Sequence, residues 1–336
     1  MKQFTISKSQ NGTRAIKYCQ KMLPGAGISF LHKMMRKKNI TRNGKKLEGN
    51  DVLYADDVIS FFFSDETFEK FAQGNVFHED DKAAKQTMTK ISFAPHGLEK
   101  SQIIYEDDDV LFYNKPSGML SQKAFPDDIS LNEYFLQYLI EENKLNTKEL
   151  LTMKPSVCNR LDRNTSGLVI CGKSHQGLVV MNKMLKERTL KKYYRCIVVG
   201  NLKEALYIKG YLKKDEKTNK VTVKDVPFQG ADFIETEIMP VTQLKGYTIL
   251  QIHLITGKTH QIRAQLAHLG FPIIGDYKYG NRTVNERLKK EFGLKTQLLH
   301  AYRLCFPDHM QELSVLFGLS FIAPLPAIFT KLSDAL

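Results

Sequence analysis

Cysteine is scarce in this chain. Its five thiols are Cys19, Cys158, Cys171, Cys196 and Cys305. No two form a CxxC pair and none stands at zinc-ligand spacing from a histidine, which excludes the common zinc modules and a thioredoxin-like redox motif. The count is odd, which does not suit a secreted disulfide framework; reduced, mostly buried thiols in a cytoplasmic protein are expected. Long apolar runs are missing too. The greasiest stretch, Val315 to Phe329, falls short of the ~20 residues that a membrane-spanning helix needs, and it holds Pro324 and Pro326. It reads as a terminal core strand and loop. The opening residues Met1-Lys2-Gln3-Phe4-Thr5 run into polar sequence with no apolar signal core, so neither a secretory leader nor a membrane partner is expected. There is no internal repeat, no low-complexity tract and no glycine-rich dinucleotide fingerprint.

What the chain does have is length, apolar content and positive charge. Its 336 residues exceed one small domain, and 42% hydrophobic residues suffice for a sizeable core. Lys and Arg number 49 against 36 Asp and Glu, a formal charge of +13. That excess favours a polyanionic partner, RNA or DNA first and an acidic membrane surface second. Three zones follow one another. Residues 1–63 form a first module. Residues 64–101 are polar and charged and read as a linker, with one short helix after Ser64 that places Phe68 and Phe71 on one face. Residues 102–336 carry β-type runs at Val110–Tyr113, Gly167–Cys171, Tyr194–Val199 and Tyr247–His253, separated by turns and by helical segments such as Leu131 to Glu142. The class is α+β.

In the first module Ile28, Leu31 and Met35 fall at helical spacing and predict one buried face, with Lys33, Arg36, Lys37 and Lys38 turned outward. Asn43-Gly44 is the favoured type I′ hairpin dipeptide. A basic helix thus leads into a basic hairpin carrying Arg42 and Lys45. Such cations track a phosphate backbone in a salt-dependent way, although a solvated charged face explains them equally well on charge alone. The order Leu31-x-x-Met34-x-Arg36-Lys37-Lys38-Asn39-Ile40-x-x-Asn43-Gly44, with Asp57-Val58-Ile59 after it, resembles the S4 RNA-binding domain over about residues 27–63. The resemblance implies structured RNA as partner and a small α/β fold, with Lys33, Arg36, Lys37, Lys38, Arg42 and Lys45 on it. Asp56 stands where that family usually has glycine.

Three clusters mark the third zone. The first is Tyr105-Glu106-Asp107-Asp108-Asp109, followed by a strand that ends Asn114-Lys115-Pro116-Ser117-Gly118; alone it reads as an ordinary acidic turn and strand. The second is Asn159-Arg160-Leu161-Asp162-Arg163-Asn164-Thr165-Ser166-Gly167, and a lone aspartate between arginines is most often a structural ion pair. The third is Thr256-Gly257-Lys258-Thr259-His260-Gln261-Ile262-Arg263, where a strand ends at Ile255 and a helix follows with Ile262, Leu266 and Leu269 inward. Gly-Lys-Thr invites a P-loop reading, but the required earlier glycine is Ile252, so nucleotide hydrolysis is rejected. The start of that helix, with Lys258, can still face a phosphate.

Together these clusters resemble the RluA-type RNA pseudouridine synthases. The order is Asn114-Lys115-Pro116-x-Gly118, Arg160-Leu161-Asp162-Arg163-x-Thr165-Ser166-Gly167, Lys192-x-Tyr194-x-x-x-Val198-x-Gly200, Thr256-Gly257-x-Thr259-His260-Gln261-Ile262-Arg263, Gly275-Asp276 with Tyr279-Gly280, and Leu299-His300-Ala301. The match spans about residues 102–326. Asn159 replaces a usual histidine and cannot titrate; Lys258 replaces a usual arginine and lacks its bidentate fork. The resemblance implies a mostly antiparallel mixed sheet with a cleft. It implies isomerisation of uridine to pseudouridine: the N1–C1′ bond breaks, the uracil turns, and C5 joins C1′. No electrons leave and no group is lost, so no cofactor and no metal are expected.

By the same resemblance Asp162, Tyr194 and Arg263 are catalytic. Asp162 acts at sugar or base, Tyr194 is the aromatic platform for the extruded base and a candidate to help remove the C5 proton, and Arg263 is the cation that keeps Asp162 ionised. A charge pair at ~4 Å attracts by about 4 kcal/mol at an effective dielectric near 20, which offsets a desolvation shift of roughly 3 pKa units. Arg160, Arg163, Lys258, His260, Gln261 and Leu299 are expected at the substrate. The partner is ribosomal RNA first, transfer RNA second, and the chain is expected to be a cytoplasmic monomer. One rival is an RNA-binding or ribosome-assembly protein with a degenerate synthase domain; the intact Asp162, Tyr194 and Arg263 positions speak against it. Another is a hydrolase with Asp162 as nucleophile, which lacks a second catalytic carboxylate or histidine in these motifs.

Overall fold

The computed structural model describes residues 1–72, 93–146, 149–309 and 313–336. The chain divides into two compact units. The first comprises Met1–Leu111, Gln122–Cys158 and Ile170–Asn182; the second comprises Phe112–Ser121, Asn159–Val169 and Lys183–Leu336.

The first unit opens with strand β1 (Lys2–Thr5) and helix α1 (Ala15–Met22). Ala15, Tyr18, Cys19 and Met22 repeat three and four residues apart, so one face of α1 is apolar and buried. Helix α2 (Ile28–Arg36) buries Leu31 and Met35, one turn apart. Ile28 departs from the expected pattern and is 51% exposed. Side chains lean toward a helix's N-terminus, so this first-turn residue projects beyond the surface its neighbours bury. Strands β2 (Ile40–Arg42), β3 (Lys45–Lys46) and β4 (Val58–Phe61) complete a sheet in the order β1-β4-β2-β3. Asn43 and Gly44 both take positive φ, 51° and 73°, which is the type I′ geometry expected between β2 and β3.

Helix α3 (Asp65–Ala72) follows Ser64 as expected, with Phe68 buried and stacked on Phe4 at 5.9 Å between centroids and Phe71 partly buried against the same core. The greater part of the expected linker, residues 73–92, lies outside the described residues. Its last residues are packed: Ala94 and Leu98 are buried, and Gly97 N donates to Glu141. Strand β5 (Ile103–Glu106) and helix α4 (Leu131–Glu141) belong to this unit, and Ser130 and Glu133 close a reciprocal capping box at the start of α4. Gln10 donates to the Thr152 hydroxyl and Lys21 to the Thr152 carbonyl, which ties the N-terminal elements to later residues of the same unit.

Strands β6 (Val110–Lys115) and β8 (Ser166–Gly172) have residues in both units; β7 (Ser156–Val157) pairs with β8, and helix α5 (His175–Glu187) follows it. The second unit carries β9 (Lys191–Val199), β10 (Leu206–Asp215), β11 (Lys220–Lys224), β12 (Asp232–Leu244), β13 (Tyr247–Leu254), β14 (Leu299–Cys305) and β15 (Ser320–Ile322). Their order is β11-β10-β12-β13-β9-β14, antiparallel throughout. Strand β14 then pairs in parallel with β8, Ala301 opposite Gly167. The sheet is mixed and mostly antiparallel, and the class is α+β. Helices α6 (Gln261–His268), α7 (Arg282–Phe292) and α8 (Ala327–Ala335) complete the unit. Ile197, Ile249, Leu288, Phe329 and Leu332 share one core cluster.

The stretch from Val315 to Phe329 corrects its reading as core strand and loop. It does contain β15, but Val315, Phe317, Leu319 and Ile322 are exposed, and its end begins α8, whose Phe329 is buried. Three-residue β15 lies against β14 alone and has only one face to bury. Among the described residues no helix is long and apolar enough to cross a membrane.

Candidate active site

Asp162 lies in the turn between β7 and β8, where Thr165 N donates to the Asp162 carbonyl at 3.0 Å. The segment after β6 ties this turn down. Lys115 is fully buried, and its ammonium donates to Pro116 O at 2.9 Å, Met119 O at 2.8 Å and Arg163 O at 3.1 Å. Gly118 N donates to the same Arg163 carbonyl at 2.9 Å. Ser121 Oγ donates to Leu161 O and accepts from Leu161 N, both at 3.0 Å. Both chain neighbours of Asp162 are therefore fixed. Burial pushes the Lys115 ammonium down to about 7, and the Asp162 charge opposes that fall.

Arg263 projects from the first turn of α6 and is itself buried. Its Nε and Nη2 donate to Asp276 Oδ2 at 2.7 Å and Oδ1 at 2.9 Å, a bidentate pair, and its Nη1 donates to Asp162 Oδ2 at 2.8 Å. Asp276 also accepts from Lys278 N at 2.8 Å and Tyr279 N at 3.1 Å. Burial alone would raise the Asp276 carboxyl, but the Arg263 hydrogen bonds and charge and the two backbone N–H groups outweigh it and hold the group below the usual carboxylate range. Burial lowers the Arg263 guanidinium, and the two carboxylates more than reverse this. Asp276 orients the guanidinium, which then grips one oxygen of Asp162. The other oxygen, Oδ1, has no partner among the described residues, and the side chain is 27% exposed.

His260 begins α6 from the left-handed region, φ 54°. Its Nε2 lies 3.9 Å from Asp162 Oδ2, and its Nδ1 lies 2.9 Å from the Tyr279 hydroxyl. Burial lowers its pKa, which Asp162 and Asp276 oppose and Arg263 and Lys278 reinforce, so the ring is neutral near pH 7. Tyr194 is buried on β9, opposite Ile252 of β13 and Ala301 of β14. Burial and then the Asp162 charge raise its phenol, which keeps its proton. The cluster thus offers a carboxylate held by one oxygen and open at the other, beside an aromatic ring. That equips it to attack an electrophilic carbon or to accept a proton.

Comparison with known proteins shows the family. Residues 109–268 match the RNA pseudouridylate synthase family. An uncharacterized RNA pseudouridine synthase of Mycoplasma genitalium is 32% identical over 314 residues, covering 90% of this chain and 88% of that protein. The chain belongs to the RNA pseudouridine synthase family. The ribosomal large subunit pseudouridine synthase C of Haemophilus influenzae is 25% identical over 341 residues, covering 100% of this chain and 96% of that one. The solved human RNA pseudouridylate synthase domain containing 4 shares the fold, with a TM-score of 0.54 and 20% identity over 77% of this chain and 94% of its own. This RNA pseudouridine synthase is of the RluA type, as the ordered motifs implied.

In the synthase the expected site residues divide into two groups. Asp162, Arg263 and His260 converge, and Tyr194 lies close enough for the Asp162 charge to act on its phenol. Leu299 is buried opposite Cys196, which puts it on the sheet face of Tyr194, two residues along. Arg160 and Arg163 point their side chains to solvent, while the Arg163 carbonyl braces the loop. Gln261, expected at the substrate, is spent on the fold. Its amide nitrogen donates to Glu235 O and Thr236 Oγ1, and its oxygen accepts from Thr256 Oγ1 and Lys258 N. Lys258 pairs with Asp232 at 2.8 Å rather than standing open to a phosphate. Asp276, Lys115 and Tyr279 were visible only as motif letters. Nothing in the sequence pairs Asp276 with Arg263, because the twelve intervening positions must first turn back on themselves.

Proposed function

We propose that this RNA pseudouridine synthase acts on large-subunit ribosomal RNA, with Asp162 as the reacting carboxylate. The observation that carries the reading is the Asp276–Arg263–Asp162 chain, in which a buried, bidentately oriented guanidinium holds one Asp162 oxygen and leaves the other for substrate. The ribosomal target is supported by the relatives named as ribosomal large subunit synthases, one of which the chain matches over its whole length.

The target uridine must leave its stack, at a cost of a few kcal/mol. A base on the Tyr194 ring would recover roughly 1–3 kcal/mol of this. Arg263 holds one Asp162 oxygen by hydrogen bond while the carboxylate works at the sugar or the base. Since burial and the Asp162 charge both hold the proton on Tyr194, its contribution in this reading is the platform and the neutral hydroxyl. Arg160 and Arg163, exposed on either side of Asp162, are positioned to meet phosphates of the bound strand.

The N-terminal residues fit an S4-like RNA-binding module. Lys33, Arg36, Lys37, Lys38 and Lys45 are exposed. Arg42 is partly committed, to Val52 O at 2.8 Å and Asp57 at 3.8 Å. Asp56, in the place of the family's glycine, takes φ 70°, so the turn keeps the left-handed conformation that glycine would supply. The protein is read as a cytoplasmic monomer.

Tritium release from RNA labelled at uridine C5 tests the reading. Wild type should release tritium, and Asp162→Ala should release none while still binding RNA. Equal release by both proteins would end the assignment of Asp162, and release from transfer RNA but not ribosomal RNA would move the target.

A further inference from the structure

We propose that Tyr279 is the positioning residue of this site: its hydroxyl fixes His260 in one tautomer against Asp162, and its ring braces the Arg263 guanidinium. The proposal rests on Asp162 as the reacting carboxylate.

The geometry is specific. Tyr279 follows Asp276 by three residues and leaves the turn that anchors Arg263. Its hydroxyl lies 2.9 Å from His260 Nδ1 and accepts from Val221 N on β11 at 3.0 Å. Its ring centroid lies 5.3 Å from the Arg263 guanidinium carbon, within cation–π range, and 5.6 Å from the His260 ring in an edge arrangement. One side chain therefore touches both residues that face Asp162.

Hydrogen counting sets the tautomer. Val221 N–H can only donate, so the phenolic oxygen accepts there. The phenolic hydrogen then needs an acceptor, and His260 Nδ1 is the one within reach. With Nδ1 accepting, the imidazole hydrogen must sit on Nε2, which faces Asp162 Oδ2 at 3.9 Å. The opposite tautomer would crowd two donors onto the phenolic oxygen, strand its own hydrogen, and turn a lone pair toward the carboxylate. The groups facing this imidazole are Asp162, Arg263, Lys278, Asp276 and Tyr279. The backbone agrees: His260 holds φ 54°, a left-handed conformation that strains a residue with a Cβ and persists only where its surroundings hold it.

The test compares wild type with Tyr279→Phe, which keeps the ring over Arg263 and removes the hydroxyl. Nitrogen-15 NMR of histidine-labelled protein near pH 7.5 reads the tautomer. Wild-type His260 should carry its hydrogen on Nε2 alone, and the Phe variant should show both forms. The loss of one net hydrogen bond should lower kcat about 3- to 10-fold with KM nearly unchanged. In a His260→Gln background the same substitution should cost nothing further. An Nδ1–H tautomer in wild type, an unchanged tautomer in the Phe variant, or an equal loss of kcat in both backgrounds would each overturn the proposal. Should the Phe variant fail to fold, the wild-type tautomer still decides. The NMR readout needs no turnover, so an active Asp162→Ala would sink the catalytic reading of Asp162 without touching the tautomer result.

Discussion

At the scale of single residues, Asp276 shows how a functional charge is held. Arg263 could point anywhere if its only partner were the part-exposed Asp162. The bidentate pair with buried Asp276 fixes the plane of the guanidinium, and two backbone N–H groups fix Asp276 in turn. Asp276→Asn keeps the shape and removes the charge, which leaves Arg263 buried with a weaker partner. The expected loss is about 3 kcal/mol of unfolding free energy at pH 7, in the range for breaking a buried pair. The pH dependence follows from the depressed carboxyl. Its stabilising contribution is complete above the unfolded-state value of about 3.9 and is lost as pH falls through the lower folded-state value. Urea unfolding should therefore show a constant gap between wild type and variant from pH 8 to 5 that closes below about pH 4. A gap that persists in acid would show that shape, not charge, is what Asp276 supplies.

At the scale of elements, the Asp162 turn depends on the parallel seam between β8 and β14. Gly167 takes φ 110°, and a Cβ there would run into the Ala301 backbone of β14. The sequence Thr165-Ser166-Gly167 announces a turn into a strand, but only the seam explains why the third residue is glycine. Gly167→Ala should cost about 3 kcal/mol, from a strained φ and a forced separation of the strands. Calorimetry should record a melting temperature several degrees lower, and an unchanged one would mean that the seam has slack. Other elements were legible at a distance. The type I′ turn at Asn43-Gly44, α2 from the spacing of Leu31 and Met35, and β6, β8, β9 and β13 from their apolar runs all rest on local pattern. Ile28 and the exposed half of Val315–Phe329 were misread for one reason: periodicity says which residues share a face, and only the neighbouring elements decide whether that face is covered.

At the scale of the whole molecule, charge and site are separable. The formal charge of +13 favours a polyanion, but two cations at the Asp162 turn are bound internally, Lys115 to three carbonyls and Arg263 to two carboxylates, while Arg160 and Arg163 beside it are exposed. Among the described residues none forms an ion pair with the exposed Lys33, Arg36, Lys37 or Lys38. Removing these four should weaken RNA binding and lower the slope of log affinity against log salt by about 3, since each phosphate contact contributes about 0.7–0.9. Turnover of RNA bound at saturation should survive. A slope unchanged by the four substitutions would remove this helix from the RNA interface.

The class of fold and the family were readable from residues alone, and Asp162, Tyr194 and Arg263 stood out as candidates, because motif order and spacing are carried by the chain. It also held the hairpin and helix faces, which depend on neighbours within a few residues. Which residue serves which depended on the folded chain. Arg263 owes its orientation to Asp276, the Asp162 turn is clamped by Lys115 and Ser121, and Gln261 turns inward to the sheet. Those pairings join residues up to about a hundred positions apart, as between Asp162 and Arg263. Hydrogen bonds of that reach are set by how strands stack and where turns close, and no local periodicity records them.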